Sequence, residues 1–306
     1  MEGIMRRSGE RLSVAVRTPD GRIEVLEKEA KGVIPWKGIR CIPVLRGVGA
    51  FLDSLFMGTS ALMWSAEVSS DEEEEKRELT EEEKKKEERS WKYLMTFTMI
   101  LSVAFSVGLF MLLPYLLASL LRRVGAGEEA VAVAEAVLRI LIFLAYMLLI
   151  SRMKDIQTVF AYHGAEHKCI NCVEAGLPLT VENVMKSSRQ HKRCGTSFLL
   201  FVVLISVIFF LIIGAMGITS PFARFGLRLL FVPVIAGVSY EVLRLAGSSD
   251  HPLVNLLSKP GLLLQKLVTR EPDERMAEVA ITAVEAVFDW KAWQEKEFAP
   301  GGEEQP

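Results

Sequence analysis

The sequence is poor in the residues that mark several protein classes. Its 306 residues include only four histidines and four cysteines, and its net charge is −2. Four scattered cysteines are too few for the disulfide framework of a small secreted protein. The near-neutral charge and the lack of any DNA- or RNA-binding motif argue against a nucleic-acid partner. The first 20 residues have no apolar core, so we expect no signal peptide in them.

Long apolar stretches dominate the rest of the chain. Hydrophobic residues make up 50% of it, and four stretches each offer roughly 20 apolar residues, enough to cross a hydrocarbon core of about 30 Å. The predicted spans are 93–121, with a kink at Pro114, 132–150, 197–218 and 227–246. Lysine and arginine concentrate before the first span and between the second and third. This bias predicts a multi-pass protein of the cell membrane with both termini and the 151–196 segment in the cytosol.

Outside the spans, the patterns predict one small sheet and several amphipathic helices. Residues 11–30 alternate around a turn at 18–21, which predicts a β-hairpin. Residues 39–66 are apolar at helical spacing but carry charges, as in an interfacial or re-entrant helix. Residues 69–90 form a charge run, typical of a solvated helix or linker. Asp273–Trp290 predicts an amphipathic helix.

The predicted fold class is therefore mainly α, a polytopic membrane protein with about four transmembrane helices. The predicted divisions are 1–38, an N-terminal β-hairpin segment; 39–66, the interfacial or re-entrant helix; 67–91, a charged linker; 92–153, transmembrane helices one and two; 154–196, a cytosolic His/Cys motif loop; 197–247, transmembrane helices three and four; and 248–306, a C-terminal cytosolic amphipathic region.

The most informative motif is the pentad His163-Gly164-Ala165-Glu166-His167. On a helix its two imidazoles and its carboxylate share one arc. Two metal ligands and a water-activating carboxylate require this arrangement, and the order is the inverted form of the zinc-protease signature. The alternative is a polar cap on a membrane helix near the lipid surface.

Further candidates follow the pentad. His191 and Cys194 have a two-residue spacer, a chelate spacing seen in zinc sites. Lys192 and Arg193 between them could bind an anion. The alternative for residues 193–197 is a helix start with a basic membrane anchor.

Two other features leave alternatives open. Glu241 lies inside the fourth span and is either a third metal ligand or part of an intramembrane ion pair with Arg244, Arg228 or Arg139. Cys169-x-x-Cys172 is either a pair of small packed residues or a zinc or redox site.

Several segments resemble the YqhQ-like family of bacterial multi-pass membrane proteins. The similar segments are 1–5, 15–21, 45–48, the signature 160–168, 179–184, 191–198, 237–241 and 260–272. The resemblance implies a bacterial inner-membrane protein with a domain of unknown function, and from the same pentad a metal-dependent enzyme, without a substrate. The family usually lacks cysteines at 169 and 172. The resemblance thus leaves His163, Glu166, His167, His191 and Cys194 as the functional set.

The first functional hypothesis is a membrane-embedded metal-dependent hydrolase. His163, His167 and one further ligand would hold a divalent metal, most simply zinc, and Glu166 would be the general base. Lys192 or Arg193 would stabilise an oxyanion or bind a phosphate head group. A site at the cytosolic membrane surface suits an amphiphile, such as a lipid, a lipid-linked precursor or a membrane peptide.

Two alternatives come from other classes. His163, His167, His191 and Cys194 could fill a closed structural tetrahedron in a scaffold, assembly or translocation-partner protein that docks on another membrane protein. Ionisable residues within the spans would instead suit a transporter or channel, although the sequence shows no internal repeat.

Overall fold

The structure is a computed structural model. It describes residues 3–30, 32, 41–69, 81–192, 194–216, 218, 220–249 and 251–299. The chain is mainly helical, as predicted, and it divides into two compact units. The first unit comprises Met1–Ser70, Met147–Ser206 and Leu229–Pro306, and the second comprises Asp71–Tyr146 and Val207–Arg228.

A small antiparallel sheet opens the first unit. Its strands, in spatial order, are β1 (Gly3–Ser8), β2 (Arg11–Arg17) and β3 (Ile23–Glu29). The pairing of β2 with β3, from Arg11 opposite Glu29 to Arg17 opposite Ile23, confirms the predicted hairpin. The first strand was not predicted. It pairs with β2 from Gly3 opposite Val16 to Ser8 opposite Arg11, so β2 is the central strand.

Helices make up most of the remaining described residues. They are α1 (Leu45–Ser69), α2 (Glu81–Val107), α3 (Leu113–Ser119), α4 (Glu128–Ile150), α5 (Lys154–Glu174), α6 (Val181–Lys186), α7 (Gly195–Ala215), α8 (Pro221–Ser248), α9 (Pro252–Val268), α10 (Glu274–Val287) and α11 (Trp290–Glu297). The predicted helix at 273–290 is thus two helices. Of the predicted charged linker, residues 70–80 lie outside the described residues and the part from Glu81 onward begins α2.

Among the described residues, four helical segments are long and apolar enough to cross a membrane, as predicted. They are Arg89–Val124, Glu128–Ile150, Gly195–Ala215 and Phe222–Ser248. Large apolar side chains stand exposed along them, including Phe97, Phe105 and Leu149, as expected of lipid-facing positions. Helix α1 is not among these candidate spans. It packs Ala61 against Val14 and Val16 of the sheet.

The helix around Pro114 changes its winding. A π-helical turn, Gly108–Leu112, precedes α3, and Pro114 lies in the first turn of α3. Proline has no N–H to donate to the carbonyl of Phe110, four residues earlier. That carbonyl accepts a hydrogen bond from Arg139 Nε at 3.2 Å instead. An arginine of the second unit thus replaces the donor that the proline removes.

Helix α5 is held by the main core of the first unit. Its buried residues Ala165, Cys169 and Cys172 pack in one cluster with α10 and the sheet. Helix α10 presents small residues to its neighbours, and Ser13 Oγ donates to the carbonyl of Ala283 at 2.6 Å. This close packing fixes one side of α5, and His163, Glu166 and His167 lie on the opposite arc.

Candidate metal centre

Helix α5 brings His163 and His167 together, as the spacing predicts. Their ring centroids lie 4.3 Å apart. The intervening Gly164 allows the segment after α9 to approach, because a β-carbon at position 164 would overlap the carbonyl oxygen of Arg270. That approach brings the carbonyl of Val268 within 3.0 Å of His163 Nδ1. The glycine of the pentad therefore has a geometric role of its own.

Cys194 joins the two histidines from the residue directly before α7. Its Sγ lies 3.2 Å from His163 Nε2 and 3.0 Å from Thr196 Oγ1. The ligand atoms of His163, His167 and Cys194 all lie within 4.8 Å of one another. Two imidazole nitrogens and one sulfur at this spacing could hold a single metal ion.

Backbone carbonyls orient both imidazoles. His163 Nδ1 lies 3.0 Å from the carbonyl of Val268, and His167 Nδ1 lies 2.7 Å from the carbonyl of Arg189. A carbonyl only accepts, so Nδ1 carries the proton in each ring and Nε2 is the nitrogen available to a metal. Metal-binding histidines typically donate such a hydrogen bond from the ring nitrogen that does not bind the metal.

The electrostatics of the three groups favour a thiolate. Burial alone would raise the pKa of Cys194, but hydrogen bonds from His163 and His167 and the charges of these imidazoles lower it to about 5. Burial also disfavours a charged His163, yet its hydrogen bond to Cys194, the thiolate charge and Glu166 raise the pKa of His163. Thiolate is the form of cysteine that binds metals, and metal binding would displace the protons held between these groups.

A cavity of about 170 Å³ opens beside the three candidate ligands. Glu166 lines it, and its Oε1 lies 3.6 Å from Nη1 of Arg6. Both side chains are about a quarter exposed. Nε of Arg6 is buried and has no hydrogen-bond partner among the residues that the structure describes. Arg6 was not among the predicted site residues, because it lies on the unpredicted strand β1.

Comparison with known proteins identifies the family. Residues 42–290 match a family described as "Protein of unknown function (DUF1385)". A protein of Bacillus subtilis (strain 168) described as "Uncharacterized protein YqhQ" is 35% identical over 302 residues, which cover 98% of this chain and 94% of the relative. The chain belongs to the DUF1385 family. This confirms the resemblance to YqhQ-like proteins, and the matched range contains every predicted site residue. No solved structure matches the chain significantly.

His191 of this DUF1385 protein lines the same cavity but faces a carboxylate. Its Nε2 lies 3.2 Å from Glu174 Oε2, and its ring centroid lies 6.0 Å from that of His167. Gln265 fixes the backbone, accepting from the N–H of His191 at 2.9 Å and donating to its carbonyl at 2.7 Å. His191 is outside the group of three converging ligand atoms, and its role as a ligand stays a prediction.

Of the two basic residues predicted to bind anions, only Lys192 belongs to the described residues. Lys192 is half-buried and is not among the lining residues, and Arg193 lies outside the described residues. Arg6 is the arginine that does line the cavity. The prediction for Lys192 and Arg193 therefore stays untested.

Glu241 forms an ion pair, one of its two predicted alternatives, but with a different arginine. Its Oε1 accepts from Arg46 Nε at 2.7 Å and from the N–H of Val44 at 3.2 Å, and its Oε2 pairs with Arg46 Nη2. Neither Arg244, Arg228 nor Arg139 is this partner. The approach requires glycine at 237, where a β-carbon would overlap the carbonyl of Val44.

Cys169 and Cys172 are fully buried in the core beside α10. Burial raises the pKa of both thiols, which is the reverse of what a reactive or metal-binding cysteine needs. Their environment is that of small packed residues.

Proposed function

We propose that this protein is a metal-dependent hydrolase that works at the membrane surface. The observation that carries the proposal is the convergence of one ligand atom each from His163, His167 and Cys194, with both Nδ1 atoms held by backbone carbonyls. Three protein ligands beside an open cavity are typical of catalytic metal sites, whereas structural sites have four.

The ligand set favours zinc. Two imidazoles and one thiolate suit this borderline-soft ion better than magnesium or calcium, which prefer oxygen ligands. A zinc ion held by His163, His167 and Cys194 would supply Lewis acidity and would lower the pKa of a bound water. The side chains around the cavity supply the remaining chemistry.

Glu166 is the proposed general base. It is on the same arc of α5 as the two histidines and faces the same cavity. It would accept a proton from the attacking water and pass it to the leaving group as the scissile bond breaks. Arg6, 3.6 Å from Glu166, would bind the negative charge that develops on the substrate. His191, paired with Glu174, is a second candidate for proton transfer.

The position of Cys194 supports an amphiphilic substrate. Cys194 directly precedes α7, the most apolar of the candidate spans, so the cavity would lie near the end of a membrane helix. A lipid, a lipid-linked precursor or a membrane peptide could present a polar bond there. By the positive-inside rule, the basic residues between α4 and α7 favour a cytosolic position for this side of the protein.

The principal alternative is a scaffold or translocation-partner protein with a structural metal. His191 would then leave Glu174 and complete a four-ligand site. A substitution of Glu166 distinguishes the two proposals. The enzyme needs the Glu166 carboxylate as a general base, whereas a structural metal site does not need it.

Elemental analysis of detergent-purified protein tests the metal. We expect about one zinc per chain in the wild type, as a site with three protein ligands implies. The zinc should be lost in His163→Ala, His167→Ala and Cys194→Ser but kept in Glu166→Gln. His251→Ala and Cys41→Ser are matched controls outside the site and should retain zinc. Wild type without metal, even after reconstitution, would overturn both metal proposals.

A hydrolysis screen tests the enzyme. Chromogenic phosphate and acyl esters in mixed micelles should be cleaved by the zinc-loaded wild type and not by zinc-loaded Glu166→Gln. Loss of metal in His191→Ala, with no difference between wild type and Glu166→Gln in the screen, would favour the structural site.

A further inference from the structure

The second compact unit contains a separate cavity of about 420 Å³, which is unusually rich in charge. Among the described residues, four arginines and three glutamates line it, a balance of one net positive charge. The surrounding helices are candidate membrane spans. Ionisable residues in such helices are expensive, and they commonly mark functional sites. The cavity shares no residue with the candidate metal centre.

The inner part of the cavity places two arginines on one carboxylate. Arg228 donates to both oxygens of Glu135, at 2.6 and 3.0 Å, and Arg139 Nη2 donates to Glu135 Oε1 at 2.7 Å. All three residues are buried, with 7% or less of their surface exposed. Two cations on one anion leave an uncompensated positive charge at this depth.

The structure compensates this charge only in part. The guanidinium carbons of Arg139 and Arg228 lie 4.4 and 5.0 Å from the centre of the Phe210 ring, a contact that stabilises cations weakly. Nε of Arg228 is buried and finds no hydrogen-bond partner within the described part of the chain. A buried donor left unpaired is costly. An added anion would satisfy both the charge and the donor.

The outer part also places two arginines beside one carboxylate, Glu128, and Glu129 is a further carboxylate of its lining. Arg122 makes two hydrogen bonds to Glu128, at 2.7 and 2.9 Å, and Arg224 Nη1 lies 3.5 Å from Glu128 Oε2. Glu128 begins α4, and Glu135 and Arg139 follow about 10 and 16 Å further along the helix axis. Arginines therefore line the cavity from a helix end into the apolar part of the unit.

We propose that this cavity binds an oxyanion of the phosphate type, held by the buried Arg139 and Arg228 and reached past Arg122 and Arg224. Guanidinium groups match phosphate geometry with paired hydrogen bonds. The volume is that of a small-ligand pocket. The ligand chemistry is shared by free phosphate and by the head group of an anionic phospholipid, and the experiment separates these two sources.

Binding to the full-length protein in detergent tests the proposal. One arm measures inorganic phosphate by calorimetry. The other counts bound phosphatidylglycerol by native mass spectrometry, with phosphatidylcholine as the zwitterionic comparison. Saturable binding in the first arm identifies free phosphate, and selective retention of phosphatidylglycerol in the second identifies a lipid head group. Absence of binding in both arms overturns the proposal.

Variants locate the bound anion. Arg228→Gln should weaken binding by about tenfold or more, as expected for loss of a charge-assisted hydrogen bond. Arg123→Gln, an exposed neighbour that does not line the cavity, should bind like the wild type. Equal binding by Arg228→Gln and wild type would overturn the assignment of the site. If Arg228→Gln does not fold, Arg224→Gln at the outer part serves the same comparison.

Glu135→Gln distinguishes a binding site from a purely structural ion cluster. Removing the carboxylate frees both inner arginines, so a binding site predicts several-fold tighter anion binding. It also predicts that added phosphate or phosphatidylglycerol raises the melting temperature of this variant more than that of the wild type. A variant that is destabilised and gains no anion affinity would show that Glu135 only neutralises the arginines, contrary to the proposal.

Discussion

The backbone of Gly164 packs directly against the carbonyl oxygen of Arg270, leaving no room for a side chain. The N–H of Arg270 donates to the carbonyl of Phe160 at 2.9 Å, and two residues earlier Val268 accepts from His163. The glycine of the pentad thus sets the distance between α5 and the segment that orients a metal ligand.

Gly164→Ala should weaken metal binding without removing a ligand. The added methyl group would push the Val268–Arg270 segment away and release the Nδ1 contact of His163. Loss of a hydrogen bond that orients a metal ligand typically lowers metal affinity by about 10- to 100-fold. A competition titration with a zinc chelator measures it. Gly58→Ala, on α1 with nothing near its β-position, is the control and should leave zinc affinity unchanged. Wild-type affinity in Gly164→Ala would contradict this account.

Gln265→Leu should destabilise the loop that precedes Cys194. The Gln265 side chain is fully buried, accepts from the N–H of His191, and donates to the His191 carbonyl and to Ser197 Oγ. Leucine leaves these groups unpaired, at roughly 1–3 kcal/mol for each buried group. We expect a lower melting temperature and weaker zinc binding.

The control for Gln265→Leu is Gln294→Leu. Gln294 also donates to two backbone carbonyls, those of Val173 and Leu177. It is half-buried, lies in α11 and does not line the cavity of the candidate centre. Its loss should cost less stability and leave zinc affinity unchanged. Equal effects of the two substitutions would show that Gln265 has no special part in the candidate centre.

The sequence predicted those parts of the site that depend on local periodicity. Spacing of four residues on a helix places His163 and His167 on one face whatever the rest of the chain does. The four apolar spans follow from length and composition in the same way. The hairpin was recognisable because its alternation and its turn are adjacent in the chain.

The sequence alone did not predict which residues that are distant in the chain contact one another. By sequence, Cys194, His191 and Glu241 were equivalent candidates for the third ligand. The three-dimensional structure distinguishes them, because it brings Cys194 to the two histidines. Arg46, the partner of Glu241, is 195 residues away. Arg6 lines the cavity from strand β1. This strand has only six residues and alternates weakly, so its sequence did not predict a strand. Its formation depends on pairing with β2.

A double-mutant cycle on Arg46 and Glu241 should show strong coupling. The pair is bidentate and about a quarter exposed, so we expect a favourable coupling free energy between the two side chains. Arg46→Met and Glu241→Gln should each lower the melting temperature, and the double variant should lose less than their sum. Arg244→Met, an exposed residue of the same helix, is the control. The zinc content of each variant should also be measured. Loss of zinc in Glu241→Gln but not in Arg46→Met would support Glu241 as the third metal ligand.

Cys169 and Cys172 should be inert in the folded protein. Both are fully buried, and burial raises the pKa of each thiol, so little reactive thiolate is present near neutral pH. Iodoacetamide at pH 7.5 should label the exposed Cys41 and leave these two unmodified until a denaturant is added, as peptide mass spectrometry would show. Cys169→Ala and Cys172→Ala should also retain zinc, whereas Cys194→Ser should not. Rapid labelling of Cys169 or Cys172, or zinc loss in either alanine variant, would mean that this pair belongs to the metal chemistry rather than to the core.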